Sequence, residues 1–235
     1  MEFPKPHIAD KNSGDDDRYA ATRRRMVDEI VAMAKESLGY KPRPISEKVL
    51  SVMAKVPRHR FIPEGSIYAA YYNRPFPIGH GQTISQPYVV ALMTELLDVG
   101  KQDTVLEVGT GSGYQSAVLA EMAGKVYSME IIEPLATRAA ELLSELGYAN
   151  IQVKRGDGSK GWPEYAPFDR IIVTAAAERM PQPLLEQLKP GGRMVIPMGG
   201  WLHIQELILI TKDHDGITHR ENILPVSFVP LTGGY

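Results

Sequence analysis

The stretch Val105–Tyr114, VLEVGTGSGY, constrains this chain more than any other. An apolar run carries Glu107 and leads into glycines at 109, 111 and 113. Gly109 permits a sharp strand-to-helix turn, and Gly111 lets the backbone approach a ligand where a Cβ would clash. The G-x-G-x-G spacing is one residue tighter than the fingerprint of nicotinamide and flavin folds. Glu130 follows about twenty positions after the loop, at the end of the strand-like run Val126–Met129, where a carboxylate can accept two ribose hydroxyls. A glycine loop alone marks only a tight turn. Strand, loop, helix, strand and acid in that order call for an adenosine-bearing ligand. The tighter spacing points to S-adenosylmethionine rather than to a nicotinamide.

From Thr104 onward the pattern is regular. Strands are expected at Thr104–Val108, Val126–Met129, Ile151–Lys154, Arg170–Thr174 and Arg193–Pro197. Helices are expected between them at Tyr114–Ala123, Leu135–Leu146 and Pro183–Leu188. Leu135, Arg138, Ala139, Leu142 and Leu146 share one face of the second helix. This alternation implies right-handed crossovers and a doubly wound α/β fold with a mostly parallel sheet of seven strands. The two remaining strand-like runs, Glu206–Thr211 and Ser227–Leu231, are separated by an Asp215-Gly216 turn signal rather than a helix. They are expected as an antiparallel pair at the sheet edge.

Before this core the reading is less regular. Residues 1–18 show no apolar period and are expected to form a poorly ordered tail, with 19–235 as a single domain. Met26, Ile30, Met33 and Ala34 share one helical face, and Ile45, Val49, Val52 and Met53 share another before Pro57. Residues 19–100 thus comprise an N-terminal helical extension and an irregular segment, and 101–235 the ligand-binding core. The basic triplet Arg23–Arg25 reads as a solvated helix face. The aromatic, proline and glycine-rich run from Phe61 to Pro87 is long enough to carry function or cover a site.

Composition narrows the chemistry. The 235 residues contain no cysteine, which excludes disulfides, thiolate metal sites and a cysteine nucleophile. No metal site is expected. A net charge of −2 argues against a partner gripped through a nucleic-acid backbone. No apolar stretch approaches the length of a membrane span, and the beginning of the chain has no apolar signal core. Cytoplasmic residence, no membrane partner and a monomer are the expectations.

In a doubly wound sheet, ligands sit beyond the carboxyl ends of the strands. Glu107 with the glycine loop, Glu130, Gly156-Asp157-Gly158 and Thr174-Ala175-Ala176 all fall there. Asp157 can meet an adenine amino group, although Gly-Asp-Gly also reads simply as a turn. Lys189-Pro190-Gly191-Gly192 reads as a helix end and the start of the next strand. Ser85 sits where a helix N-cap belongs, with Pro87 in the first turn, and a capping serine is compatible with a ligand-facing one. His80, a lone loop histidine, can be either a base or a solvated residue.

The runs PIGHGQTISQP, LEVGTGSGY, GDG, FDRIIVTAA, LKPGGRMVIPMG and FVPL together resemble the protein-L-isoaspartate O-methyltransferases. The likeness extends from about Val56-Pro57-Arg58 through Arg60-Phe61-Ile62-Pro63 to Leu231. Glycine-loop and LKPGG segments are shared by many methyltransferases, whereas Gly-Gln-Thr-Ile-Ser-x-Pro is far more specific. The resemblance implies a Rossmann-like class I methyltransferase domain. Its reaction would be methyl transfer from S-adenosylmethionine to the free α-carboxylate of L-isoaspartyl residues in damaged proteins and peptides. It implies Ser85 as the active-site residue, with Gln82, Thr83 and Ile84 closing over cofactor and substrate. Gly109, Gly111 and Gly113 would pass the methionine part, with Glu107 orienting their loop. Glu130, followed by Ile131, would take the ribose, Asp157 with Gly158 the adenine, and Thr232 would line the site. The competing reading is a methyltransferase of the same fold acting on a small molecule or nucleic acid. Amino-group methylation at adenine or glutamine commonly uses an Asn/Asp-Pro-Pro-Tyr turn after the fourth strand, where this chain has Thr174-Ala175-Ala176-Ala177.

Overall fold

The computed structural model describes residues 13–36, 40–200 and 204–233. Two helices come first, α1 (Ser13–Lys35) and α2 (Glu47–Lys55), followed by two 3-10 turns. A short hairpin of β1 (Phe76–Gly79) and β2 (Gln82–Ile84) precedes α3 (Pro87–Leu97). The core then alternates as β3 (Thr104–Val108), α4 (Tyr114–Ala120), β4 (Lys125–Glu130), α5 (Glu133–Glu145) and β5 (Ile151–Arg155). It continues with β6 (Phe168–Val173), α6 (Gln182–Glu186), β7 (Leu188–Met198), β8 (Gln205–Lys212) and β9 (Thr218–Val226).

Seven strands form one sheet in the order β5-β4-β3-β6-β7-β8-β9. The first five run parallel, and β8 and β9 run antiparallel to their neighbours. Strand order reverses at β3, which lies between β4 and β6, so a crevice opens above its carboxyl end.

Side-chain alternation divides the core between the two faces of the sheet. Val105, Ile172 and Val195 join a cluster with α1 to α5, whereas Leu106, Ile171 and Met194 join one with Leu184 of α6 and Trp162. Strands covered on both faces must be apolar at consecutive positions, as in Ile171–Val173 and Met194–Ile196. The covering is unequal. Among the described residues, the second face carries one short α-helix and a segment of 3-10 turns around Trp162.

Four expectations are corrected. Residues 1–12 of the expected tail lie outside the described residues, but 13–18 are the first turns of α1. An acidic run just ahead of an apolar-periodic segment is a helix-start signal. Within the basic triplet, Arg24 and Arg25 are exposed while Arg23 is buried and donates to the Lys55 carbonyl at 2.9 Å. Arg23 shares the face of Met26, Ile30 and Ala34, so its head reaches the carboxyl end of α2, where a cation is favourable. The edge partner of β8 is Thr218–Val226, not Ser227–Leu231. The tight turn at Asp213–Ile217 returns the chain at once, pairing Lys212 with Thr218. Finally, the cap of α3 is Gln86, with Pro87 at the first helical position, so Ser85 is displaced from the capping role.

Candidate active site

The crevice above β3 is an open cleft. Its floor is the glycine loop. Gly109 has φ +98°, and a Cβ there would lie 2.3 Å from Thr174 Oγ1. Only glycine can turn the chain this close to the end of β6. The Thr174 hydroxyl donates to the Gly109 carbonyl at 2.6 Å and ties the turn down.

Glu130 ends β4 at the cleft, nearly buried. One carboxylate oxygen accepts from the Gly111 amide at 2.8 Å and the other from the Ile132 amide at 2.9 Å. The acid thus holds the loop in place, and each oxygen retains capacity for a second donor. Ile131 beside it lines the cleft and is 40% exposed.

Glu107 lies beneath the loop, fully buried. One oxygen accepts from the Ser116 hydroxyl and, at 2.6 Å, from the Ser128 hydroxyl. Ser128 in turn meets the Thr110 hydroxyl at 2.6 Å, so Glu107 reaches the loop through two hydroxyls. Its other oxygen is buried without a hydrogen-bond partner among the described residues. Burial pushes its pKa up to about 7, outweighing the two serine bonds, and the nearby Glu130 charge adds to the rise.

The opposite wall comes from the β1–β2 hairpin. Gln82, Thr83, Ile84 and Ser85 all line the cleft, and Ile78 Cδ1 would be 3.6 Å from a Cβ at Gly111. Arg138 of α5 holds the hairpin by donating to the Ile78 carbonyl at 3.2 Å. The Ser85 hydroxyl has no hydrogen-bond partner among the described residues, whereas its carbonyl accepts from Arg58 at 2.7 Å. His80 is exposed at the hairpin tip and outside the lining.

Of the other residues singled out in the sequence, Gly109, Gly111, Gly158 and Thr232 also line the cleft. Gly113 starts α4 against Leu143 instead, with φ +87°. The Asp157 side chain follows the turn reading. Its carboxylate accepts from the Ser159 amide at 3.0 Å and the Ser159 hydroxyl at 2.6 Å. Sequence reasoning missed Ser112, Gln115 and the wall Val229–Leu231. That wall runs beside Ala176, bonded through Ala176 N to Val229 O and Leu231 N to Ala176 O, each at 2.8 Å. Pro230 was the available signal, since proline demotes a run from regular strand pairing.

Among the described residues lining the cleft, the ionisable side chains are Glu130 and Tyr114. Burial raises the Tyr114 pKa further above its ordinary value. The cleft therefore offers hydroxyls, amides and one carboxylate, and its described lining holds no histidine, lysine or cysteine.

The chain matches the model of one protein family, described as protein-L-isoaspartate(D-aspartate) O-methyltransferase, over residues 36–235. It is 58% identical over 223 residues to protein-L-isoaspartate O-methyltransferase 2 of Syntrophobacter fumaroxidans, covering 94% of this chain and 90% of that protein. A protein of the same description from Polaromonas sp. is 56% identical over 209 residues, covering 88% and 99% respectively. Among solved structures, a protein-L-isoaspartate O-methyltransferase aligns with TM-score 0.75 at 27% identity, over 90% of this chain and 66% of that one. A Plasmodium falciparum protein solved with S-adenosyl-L-homocysteine gives TM-score 0.74 at 23% identity, over 91% and 98%, a likeness of fold.

Proposed function

The chain belongs to the protein-L-isoaspartate(D-aspartate) O-methyltransferase family, and we propose that the cleft above β3 is where it works, with Ser85 at the acceptor end and Glu130 at the ribose end. Its reaction is transfer of a methyl group from S-adenosylmethionine to the free α-carboxylate of an L-isoaspartyl residue in a damaged protein or peptide. The methyl ester then closes to a succinimide, whose hydrolysis returns some normal aspartate.

The observation that carries this reading is a cleft with an uncommitted Ser85 hydroxyl and no histidine, lysine or cysteine in its described lining. An α-carboxyl has an unperturbed pKa of about 3.3–3.7, so the acceptor is already ionised at neutral pH. A nucleophile of that kind needs alignment rather than proton removal. A hydroxyl acceptor would need proton removal, and the described lining has no histidine, lysine or cysteine for it, while an adenine or glutamine amino acceptor would call for the Asn/Asp-Pro-Pro-Tyr turn that Thr174-Ala175-Ala176-Ala177 replaces.

The residues fit the adenosyl group. Glu130, with its spare acceptor capacity, takes the ribose hydroxyls, and Ile131 packs at the same end. Gly109 and Gly111 present bare backbone to the methionine part, while Gly113 fixes the helix that follows. Glu107 steadies the loop from below through Ser128 and Thr110. Gly158, with Asp157 behind it, borders the adenine. Bound S-adenosylmethionine supplies an electrophilic methyl on sulfur. Ser85 donates to one carboxylate oxygen and leaves the other free to attack in line, while Gln82, Thr83, Ile84 and Thr232 exclude water.

The same proposal treats 19–235 as one domain, supported by a single apolar cluster running from Met26 to Ile223. It includes a cytoplasmic monomer with no nucleic-acid partner, and the net charge of −2 supports the last of these. No described helix is long and apolar enough to cross a membrane.

Labelled methyl transfer to two peptides differing only in aspartyl or isoaspartyl linkage tests the reading. Base-labile label should enter the isoaspartyl peptide alone. Equal labelling of both peptides, or base-stable label, would overturn it.

A further inference from the structure

Arg58 is fully buried, in a 3-10 turn just after α2. Its Nε donates to the Ala70 carbonyl at 2.8 Å and its Nη2 to the Ser85 carbonyl at 2.7 Å. The guanidinium lies over the ring of Tyr114, with Cζ 4.7 Å from the centroid. Nη1 is buried with no hydrogen-bond partner among the described residues. Burial pulls the Arg58 pKa down to about 10, which still leaves it charged at neutral pH.

A buried cation bonded to carbonyls rather than to a carboxylate is an expensive way to stabilise a fold. What it provides is geometry. A planar fork holds two chain segments at once, which neither lysine nor a neutral side chain can reproduce. One segment carries Ser85. The surface beneath the guanidinium is Tyr114, which opens the helix after the glycine loop and lines the cleft. Arg58 thus spans the two sides between which the methyl must travel.

We propose that Arg58 is a positioning residue for methyl transfer, fixing Ser85 relative to the glycine-loop helix through the Ser85 carbonyl and the Tyr114 ring. This rests on the reading of Ser85 as the acceptor-end residue. In-line transfer is steep in alignment, and a displacement near 1 Å can cost on the order of 100-fold.

The test compares Arg58→Lys, Arg58→Gln, Ser85→Ala and the double variant Ser85→Ala/Arg58→Lys. Each is measured for kcat at saturating peptide and S-adenosylmethionine, for S-adenosylhomocysteine affinity by calorimetry, and for melting temperature. Arg58→Lys should fold, bind S-adenosylhomocysteine within about threefold of wild type, and lose about 10- to 100-fold in kcat. In the Ser85→Ala background the same change should cost little more, because its effect passes through Ser85. A folded Arg58→Lys with wild-type kcat overturns the proposal, as does a loss that multiplies fully with that of Ser85→Ala. If neither Arg58 variant folds, the residue is a structural brace and the proposal falls. Wild-type turnover in Ser85→Ala would instead sink the reading of Ser85 itself.

Discussion

Glu130 accepts one backbone amide on each carboxylate oxygen, from Gly111 and Ile132, so it braces the loop in addition to its proposed contact with the ribose. Glu130→Ala should therefore weaken S-adenosylhomocysteine binding by about 10- to 150-fold, the worth of about 1.5–3 kcal/mol for bonds to a charged group. Peptide affinity should change far less. Calorimetry with unchanged affinity for S-adenosylhomocysteine would remove Glu130 from the site. Ser85 presents the opposite case, with a hydroxyl that caps nothing. Ser85→Ala should keep stability within about 0.5 kcal/mol of wild type. Single-turnover methylation should slow by about 10- to 150-fold, through loss of one donor to a charged group. A mutant that melts early yet turns over normally would return Ser85 to a structural role. Both residues stood out in the sequence because each sits in a local motif at a strand or helix end. Arg58 did not. It entered only as part of Val56-Pro57-Arg58, where the likeness begins, and nothing local reveals that it is enclosed by Ala70, Ser85 and Tyr114.

The β1–β2 hairpin owes its tightness to a two-residue turn, His80–Gly81, with positive φ at both positions, 53° and 70°. This is the geometry that twists with the strands, and asparagine adopts it more readily than histidine. His80→Asn should therefore preserve the hairpin and leave kcat within about twofold of wild type, whereas loss of a general base typically costs about 100-fold or more. A collapse in kcat with an intact fold would restore His80 as a base. The sequence made the central parallel strands legible because they carry consecutive apolar residues, Val105-Leu106, Ile171–Val173 and Met194–Ile196, and β3 begins and ends at the expected residues. It hid β9, whose Thr218–Glu221 portion is polar and exposed because the strand is the sheet edge. Apolar Ser227–Leu231 looked more like a strand than the strand itself. Its apolar character serves the cleft wall instead.

At the scale of the whole molecule, a pH lever near neutrality is Glu107 at the centre of the sheet. Its pKa is about 7 in the folded protein against an ordinary value of 4.5 in the unfolded chain. The folded state therefore holds the proton more tightly than the unfolded state. Stability falls as pH rises from about 4.5 to about 7, by about 1.4 kcal/mol for each pH unit crossed, and levels off above. Glu107→Gln keeps an acceptor for Ser116 and Ser128 and has no such slope, so it should gain on wild type between pH 5 and pH 8. Denaturant unfolding across that range checks this, and parallel curves would refute it. The N-terminal helix belongs to the same balance. α1 lies before the family-matched residues 36–235, yet Met26 and Ile30 are wholly buried in the main core. Its apolar period was legible, but its cover over α2 and α3 depends on contacts far apart in the chain. The cleft wall at Val229–Thr232 faces Gln82–Ser85 from the other end of the sequence. At about 5–20 residues per second, the interval between synthesis of those two walls is roughly 8–30 s. During that time a nascent chain can hold the hairpin and build the sheet strand by strand. Until Val229–Thr232 has emerged, the cleft lacks one of its walls.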